Sequence, residues 1–335
     1  MAPAEFWTYC RVMTTADLRQ PQKRPEAIAV VAVLGGALCL SISAILVKLA
    51  GVDAATTAVL RCAIAVIALV PLALVERRRH GGLSRTGIAW AIAAGIALGI
   101  DYIAWTAAIY LVGAGVSTVL VNVQVIVLPL LALIVDREPV SRRFLIALPL
   151  MLIGVGLVGG ILSLAEVGEG AVLGTVLGLI AGTGYGVYMF LTRRGTRRKA
   201  EGTIQPLAWA TASAAVSSAI IAQFTGGLHL GGISPRSWML LIALALLGQV
   251  VAWLLINGAS VRLAPTMTAS LLLIQPVLAL VLAALILGER LTLGQAIGAG
   301  LVVAAVAVAN GVWRARSARR PGLRRPDSGP DSGPR

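Results

Sequence analysis

The chain has 335 residues, 58% hydrophobic and 13% charged, with a formal net charge of +14 and a mean hydropathy of +0.89. A soluble domain is about one quarter charged, so a water-soluble globular enzyme is excluded. With only 5% aromatic residues, the apolar mass suits packed membrane helices and not a β-barrel with aromatic girdles.

In chain order, residues 1–25 are polar and basic, with Arg11, Arg19, Lys23 and Arg24. They lack the apolar core and small-residue cleavage site of a cleavable signal. Met13 is an alternative start to Met1. Five apolar segments follow at about Glu26–Ala50, Ala54–Val75, Thr86–Tyr110, Val116–Val135 and Phe144–Leu164. Five more follow at Ala171–Thr192, Pro206–Phe224, Ser237–Ser260, Met267–Leu287 and Gly294–Trp313. Each is long enough to cross a bilayer, and a helix satisfies its own backbone in lipid. Residues 314–335 form a basic tail, expected to be disordered and cytoplasmic.

The intervening loops alternate in charge. The side that holds the N-terminus, the Arg77–Arg79 and Arg193–Arg194 clusters and the tail carries 24 of the 28 basic residues. The opposite loops hold only Arg236 and Arg290, while Lys48 and Arg61 fall inside spans. The positive-inside rule then places both termini in the cytoplasm of a plasma-membrane protein. Topology thus accounts for the +14, and nucleic acid is not an expected partner. Cys10, Cys39 and Cys62 have no metal-ligand spacing, and the last two behave as small hydrophobes.

The two halves repeat. An offset of 151 puts Gln124 on Gln275, Glu138 on Glu289, Ser141 on Thr292, Tyr102 on Trp253 and Ala108 on Ala259. Five spans per half is an odd number, so the second half is inverted relative to the first. The expected fold is an all-α polytopic membrane protein of ten transmembrane helices in two inverted five-helix repeats, residues 26–164 and 171–313. Inverted repeats are a transporter architecture with the solute site where the repeats meet.

Ser43, Lys48 and Arg61 in the first two spans resemble the EamA repeat of the drug/metabolite transporter superfamily. So do Ala264-Pro265, Ser270, Gln275-Pro276 and Gly288-Glu289-Arg290 in the last two. The resemblance covers roughly residues 27–313. The first repeat departs from it: Val125 stands where Pro276 stands in the second, Pro129 appears instead, and Asp136 replaces the equivalent of Gly288. The resemblance implies a ten-helix transporter that exports or exchanges small metabolites.

Charges and amides in lipid are costly and mark candidate sites. Arg61 and Asp101 lie at depths that differ by ~3–5 Å, so they either approach each other or share the charges of a solute. A structural ion pair is the bland alternative. An unpaired carboxyl in lipid favours binding a proton, which makes Asp101 a candidate proton carrier. Lys48 is expected to snorkel to the interface. The amides Asn122, Gln124, Gln249 and Gln275 suit a zwitterionic solute, although interhelical bonding is the commoner role of a single amide. The substrate-binding set is Arg61, Asp101, Gln124, Gln275, Asn122, Tyr102 and Trp253, with Trp105, Tyr185 and Tyr188 as further cavity walls. Gly174, Gly178, Gly182 and Gly186 recur every four residues, as do Gly95/Gly99, Gly156/Gly160 and Gly294/Gly298, which lets helices approach closely. Pro129, Pro149 and Pro276 are expected to mark bends.

Enzyme readings lack their residues. There is no aspartate cluster for Mg²⁺-diphosphate, no His-Glu-x-x-His and no phosphate-binding Gly-x-x-x-x-Gly-Lys-Ser/Thr loop. No cofactor or metal is expected. The expected partners are a small-molecule substrate, the lipid bilayer, and a proton or counter-substrate; a homodimer is compatible with this. The competing reading is a non-transporting sensor or scaffold, and less so an intramembrane enzyme. Tags fused to either terminus should stay hidden from membrane-impermeant reagents in intact cells; labelling of either would overturn the topology.

Overall fold

A computed structural model describes residues 23–139, 142–158, 170–196, 202–260, 263, 268, 271–272 and 274–309. Residues 1–22 and the tail 310–335 lie outside these, as do Cys10, Gly160, Arg197, Arg198, Lys199, Arg262, Ala264, Pro265 and Ser270. Among the described residues every regular element is helical. The first half supplies α1 (Lys23–Ala50), α2 (Ala54–His80), α3 (Arg85–Val112), α4 (Ala114–Leu120), α5 (Gln124–Asp136) and α6 (Arg142–Val158). The second supplies α7 (Ala171–Thr196), α8 (Ile204–Phe224), α9 (Pro235–Ala245), α10 (Ala252–Ser260), α11 (Ile274–Leu287) and α12 (Leu293–Ala309).

Among the described residues, seven helical stretches are long and apolar enough to cross a membrane, including Ala114–Asp136 and Pro235–Ala259. The helices α11 and α12 are shorter apolar segments. The chain is therefore a multi-pass helical membrane protein. Several helices outrun the expected spans. The helix α2, for example, carries Arg77, Arg78 and Arg79 into its last turn, where cations complement the helix dipole.

Local caps explain many helix starts. Asp53 Oδ1 accepts from Thr56 N at 2.9 Å, and Ser84 Oγ from Gly87 N at 3.0 Å. Ser234 Oγ accepts from Ser237 N at 3.1 Å, with Pro235 in the first turn. Thr292 and Gln295 form a capping box at the head of α12: Gln295 N donates to Thr292 Oγ1 at 3.2 Å and Thr292 N to Gln295 Oε1 at 3.0 Å.

Two further helix starts take their caps from far along the chain. Glu289 accepts from Ala114 N at 2.8 Å and from Gly115 N at 3.2 Å, closing the head of α4. Glu76, buried at the end of α2, accepts from the backbone of Thr203, Ile204 and Gln205 at 2.7–3.1 Å. Gln205 then donates to Gly81 O at 2.9 Å. Each carboxylate meets several orphan N–H groups at the positive end of a helix dipole.

The repeat is visible in local geometry. The helices α5 and α11 end at positions related by the offset of 151, and α6 and α12 share both of their bounds under it. Glu138 N donates to Ala132 O at 3.1 Å, and its counterpart Glu289 N donates to Ala283 O at 3.2 Å. Arg137 (φ 53°) and Gly288 (φ 67°) occupy the same left-handed cap position. The counterpart of Gly288 is thus Arg137, which corrects the assignment of Asp136. Exchanging the halves also carries the packing onto itself. The pairing of α3 with α7 becomes that of α9 and α10 with α1, and that of α5 with α7 becomes that of α11 with α1.

Small residues set these contacts. Along α7, a Cβ on Gly178 would come 2.8 Å from Leu120 and one on Gly182 2.7 Å from Val121 O, so the stripe is pressed against α4 and its continuation. Gly154 of α6 and Gly298 of α12 meet backbone to backbone, while Gly294 faces no close neighbour. The prolines lie within assigned helices. Pro129 and Pro149 lie inside α5 and α6, and Pro276 lies in α11. Among the described residues, departures from α-helical geometry fall at a 3₁₀ turn, Val121–Val123, and a π-helical stretch, Leu246–Val251.

Nothing crowds a Cβ at Gly288, so Gly288→Ala should lower stability through the backbone alone, by about 1 kcal/mol. Arg137→Gly should raise it by a similar amount. Thermal unfolding of the purified protein checks both signs.

Candidate functional site

Arg61 sits on α2 and is 3% exposed. A guanidinium stays charged in proteins, so the bundle must replace its water. One of its nitrogens, Nη2, donates to Gly248 O at 3.2 Å. Gly248 lies in the π-helical stretch, where absence of a side chain leaves room for Ser43 and the Arg61 head. The ring of Tyr102 covers the guanidinium at 4.0 Å and that of Trp105 flanks it at 5.6 Å, adding cation–π attraction.

Tyr102 is itself held. Its hydroxyl donates to Gln249 Oε1, and Gln249 Nε2 donates to Thr211 Oγ1 at 3.0 Å. Gln249 is fully buried, and the π-helical stretch turns it inward. This chain from α8 through Gln249 and Tyr102 fixes the face on which Arg61 lies.

A cavity of about 50 Å³ opens beside this assembly, room for a few water-sized groups. Its polar lining is Ser43, Arg61, Asp101, Thr118 and Gln275, walled by Tyr102, Trp105, Tyr185 and Trp253. Both halves contribute. Asp101 is 5% exposed. Among the described residues no ion pair joins it to Arg61, and its carboxylate accepts no hydrogen bond. The two charges share one cavity without forming a pair.

Five of the seven sequence-derived residues therefore converge: Arg61, Asp101, Tyr102, Trp253 and Gln275. Asn122 and Gln124 do not. Asn122 lies in the 3₁₀ turn and donates back to Thr118 O at 2.9 Å. Gln124 starts α5 outside the cavity lining, and its Oε1 is buried without a partner among the described residues. Repeat-related positions need not meet when the surrounding helices differ. Gln249, weighed only as a mid-membrane amide, is the buried brace of Tyr102. Ser43 and Thr118 are lining residues that the sequence reading did not single out for binding. Their hydroxyls also bond back to their own helices, to Cys39 O at 2.9 Å and Ala114 O at 2.7 Å.

Lys48 finds partners near the end of its helix. Its Nζ donates to Ile109 O at 3.1 Å, near the negative end of α3, and lies 5.7 Å from the Tyr110 ring centre. Elsewhere, Arg193 pairs with Glu138 at 3.2 Å and Arg194 pairs with Asp136, tying the ends of α7 and α5. Among the described residues no group of three or more His, Cys, Asp or Glu side chains is placed to hold a metal ion.

A model of the EamA-like transporter family matches the chain twice, over residues 27–160 and 172–311. No curated protein matches it. One solved crystal structure of a protein superposes with a TM-score of 0.56 over 87% of this chain and 99% of that one, at 17% identity. At that identity the likeness shows the fold alone.

Tyr102→Phe keeps the ring over Arg61 but strands the buried Gln249 Oε1. It should cost about 1–3 kcal/mol of stability, read as a lower thermal midpoint of the purified protein. An unchanged midpoint would refute the bracing role of Gln249.

Proposed function

Because the chain belongs to the EamA-like transporter family, we propose that it is a secondary transporter that exports a small metabolite across the cytoplasmic membrane by alternating access. The solute is amino acid-like or another small polar or amphipathic molecule. In this reading ten helices form two inverted five-helix repeats, over 26–164 and 171–313, and both termini are cytoplasmic. The observation that carries it is the cavity between the halves, lined by both Arg61 and Asp101, which no ion pair joins among the described residues.

In this reading a solute reaches the small cavity from each side in turn as one half moves against the other. Glycine faces between α7 and α4, and between α6 and α12, supply smooth surfaces for such motion. A proton or a counter-substrate drives the cycle. Asp101 is the proton-carrying group in the first case, since it can exchange a proton for the solute's positive end.

Reconstituted in vesicles, the protein should move solute, and Arg61→Gln or Asp101→Asn should each lower flux at least 100-fold while the assembled protein persists. Dissipating the pH gradient should stop uphill flux. Normal flux in both variants would reduce the two charges to structure, and binding without any flux would favour a sensor.

A further inference from the structure

Two hydrogen-bond donors on residues that line the cavity lack partners. Among the described residues, the Nε of Arg61 and the Nε1 of Trp253 are buried and make no hydrogen bond. Their residues are 3% and 8% exposed, and both line the same cavity of about 50 Å³. A buried N–H without an acceptor is costly. Neither can be relieved by titration, because the guanidinium stays charged and the indole N–H only donates.

The surrounding side chains restrict where these donors can turn. Arg61 spends Nη2 on Gly248 O and lies flat under Tyr102. The Trp253 ring is wedged edge-to-face against Tyr185 at 6.0 Å and against Tyr188 at 5.7 Å. Asp101, the only carboxylate that lines the cavity among the described residues, is not paired with Arg61. What the site lacks is an acceptor, preferably planar and anionic, to match the guanidinium edge.

We propose that Arg61 Nε and Trp253 Nε1 together bind a carboxylate of the transported solute, and that Asp101 takes its ammonium group. The solute is then a zwitterion recognised at both poles. The assignment rests on the transport reading above and deepens it. Trp253 becomes a specificity-determining residue through its N–H, separately from the packing of its ring.

Thermal unfolding of the full chain in detergent tests it, first against the twenty standard amino acids. The tightest binder is then compared with its methyl ester, which lacks the carboxylate, and its N-acetyl form, which lacks the ammonium. Both derivatives should bind at least tenfold more weakly. Trp253→Phe should weaken the parent amino acid at least tenfold and leave the ester within about twofold. An ester that binds as tightly as its parent, or no binding by any amino acid, would overturn the proposal. Vesicle flux of a mixed set of metabolites and organic cations separates the two claims. Flux of other solutes keeps the transport reading while this assignment falls, and absence of all flux removes both.

Discussion

A permanent positive charge buried inside a membrane bundle is the constraint to which the rest of the core answers. Arg61 cannot shed its proton, so protein groups must do the work of water. A backbone carbonyl from the π-helical stretch and two aromatic faces do this. Each needs its own support. The π-helical stretch brings in Gly248 and turns Gln249 inward, Gln249 holds Tyr102, and Thr211 holds Gln249. The helices α2, α3, α8 and the α9–α10 pair are thereby tied to one side chain. That solvation is incomplete, because the Nε of Arg61 has no acceptor among the described residues.

The second constraint is lipid itself. Every helix end within the bundle must find partners for its backbone groups. Short-range caps do this at Asp53, Ser84, Ser234 and Thr292, and long-range carboxylates do it at Glu76 and Glu289. The long-range caps cross between the halves. Glu289 belongs to the second half and closes a helix of the first, while Glu76 does the reverse. Charged groups that look like loop decoration are in this way structural ties between the repeats.

These features differ in how legible they were in the sequence. Spans show in composition because about twenty apolar residues in a row are visible without context. The duplication shows because Gln and Glu are rare enough in such a chain for their coincidence at one offset to carry information. The long-range caps are different: Glu76 and the head of α8 are more than a hundred residues apart, and no local pattern joins them. The breaks at Val121–Val123 and Leu246–Val251 hold no proline, whereas Pro129 and Pro149 sit inside continuing helices. The break at Leu246–Val251 adjoins the buried Arg61 head, a tertiary contact. Lys48 near a span end suggested the interface, and its contacts with the Ile109 carbonyl and the Tyr110 ring are tertiary features that no local pattern announces. Within the site, the rule that isolated charges and amides deserve attention found Arg61, Asp101 and Gln275. It could not distinguish Gln124 from its repeat mate, because the neighbours decide which of two equivalent positions faces the cavity.

The central claim is that this cavity is reached from both sides of the membrane in turn, which separates a transporter from a one-sided receptor. Thr118 lines it and is 3% exposed. In a background without the native cysteines, Thr118→Cys can be probed with a membrane-impermeant thiol reagent in right-side-out and in inside-out vesicles. The account predicts labelling from both faces, slowed by a transported solute. Labelling from one face alone, whatever the solute or gradient, would contradict it.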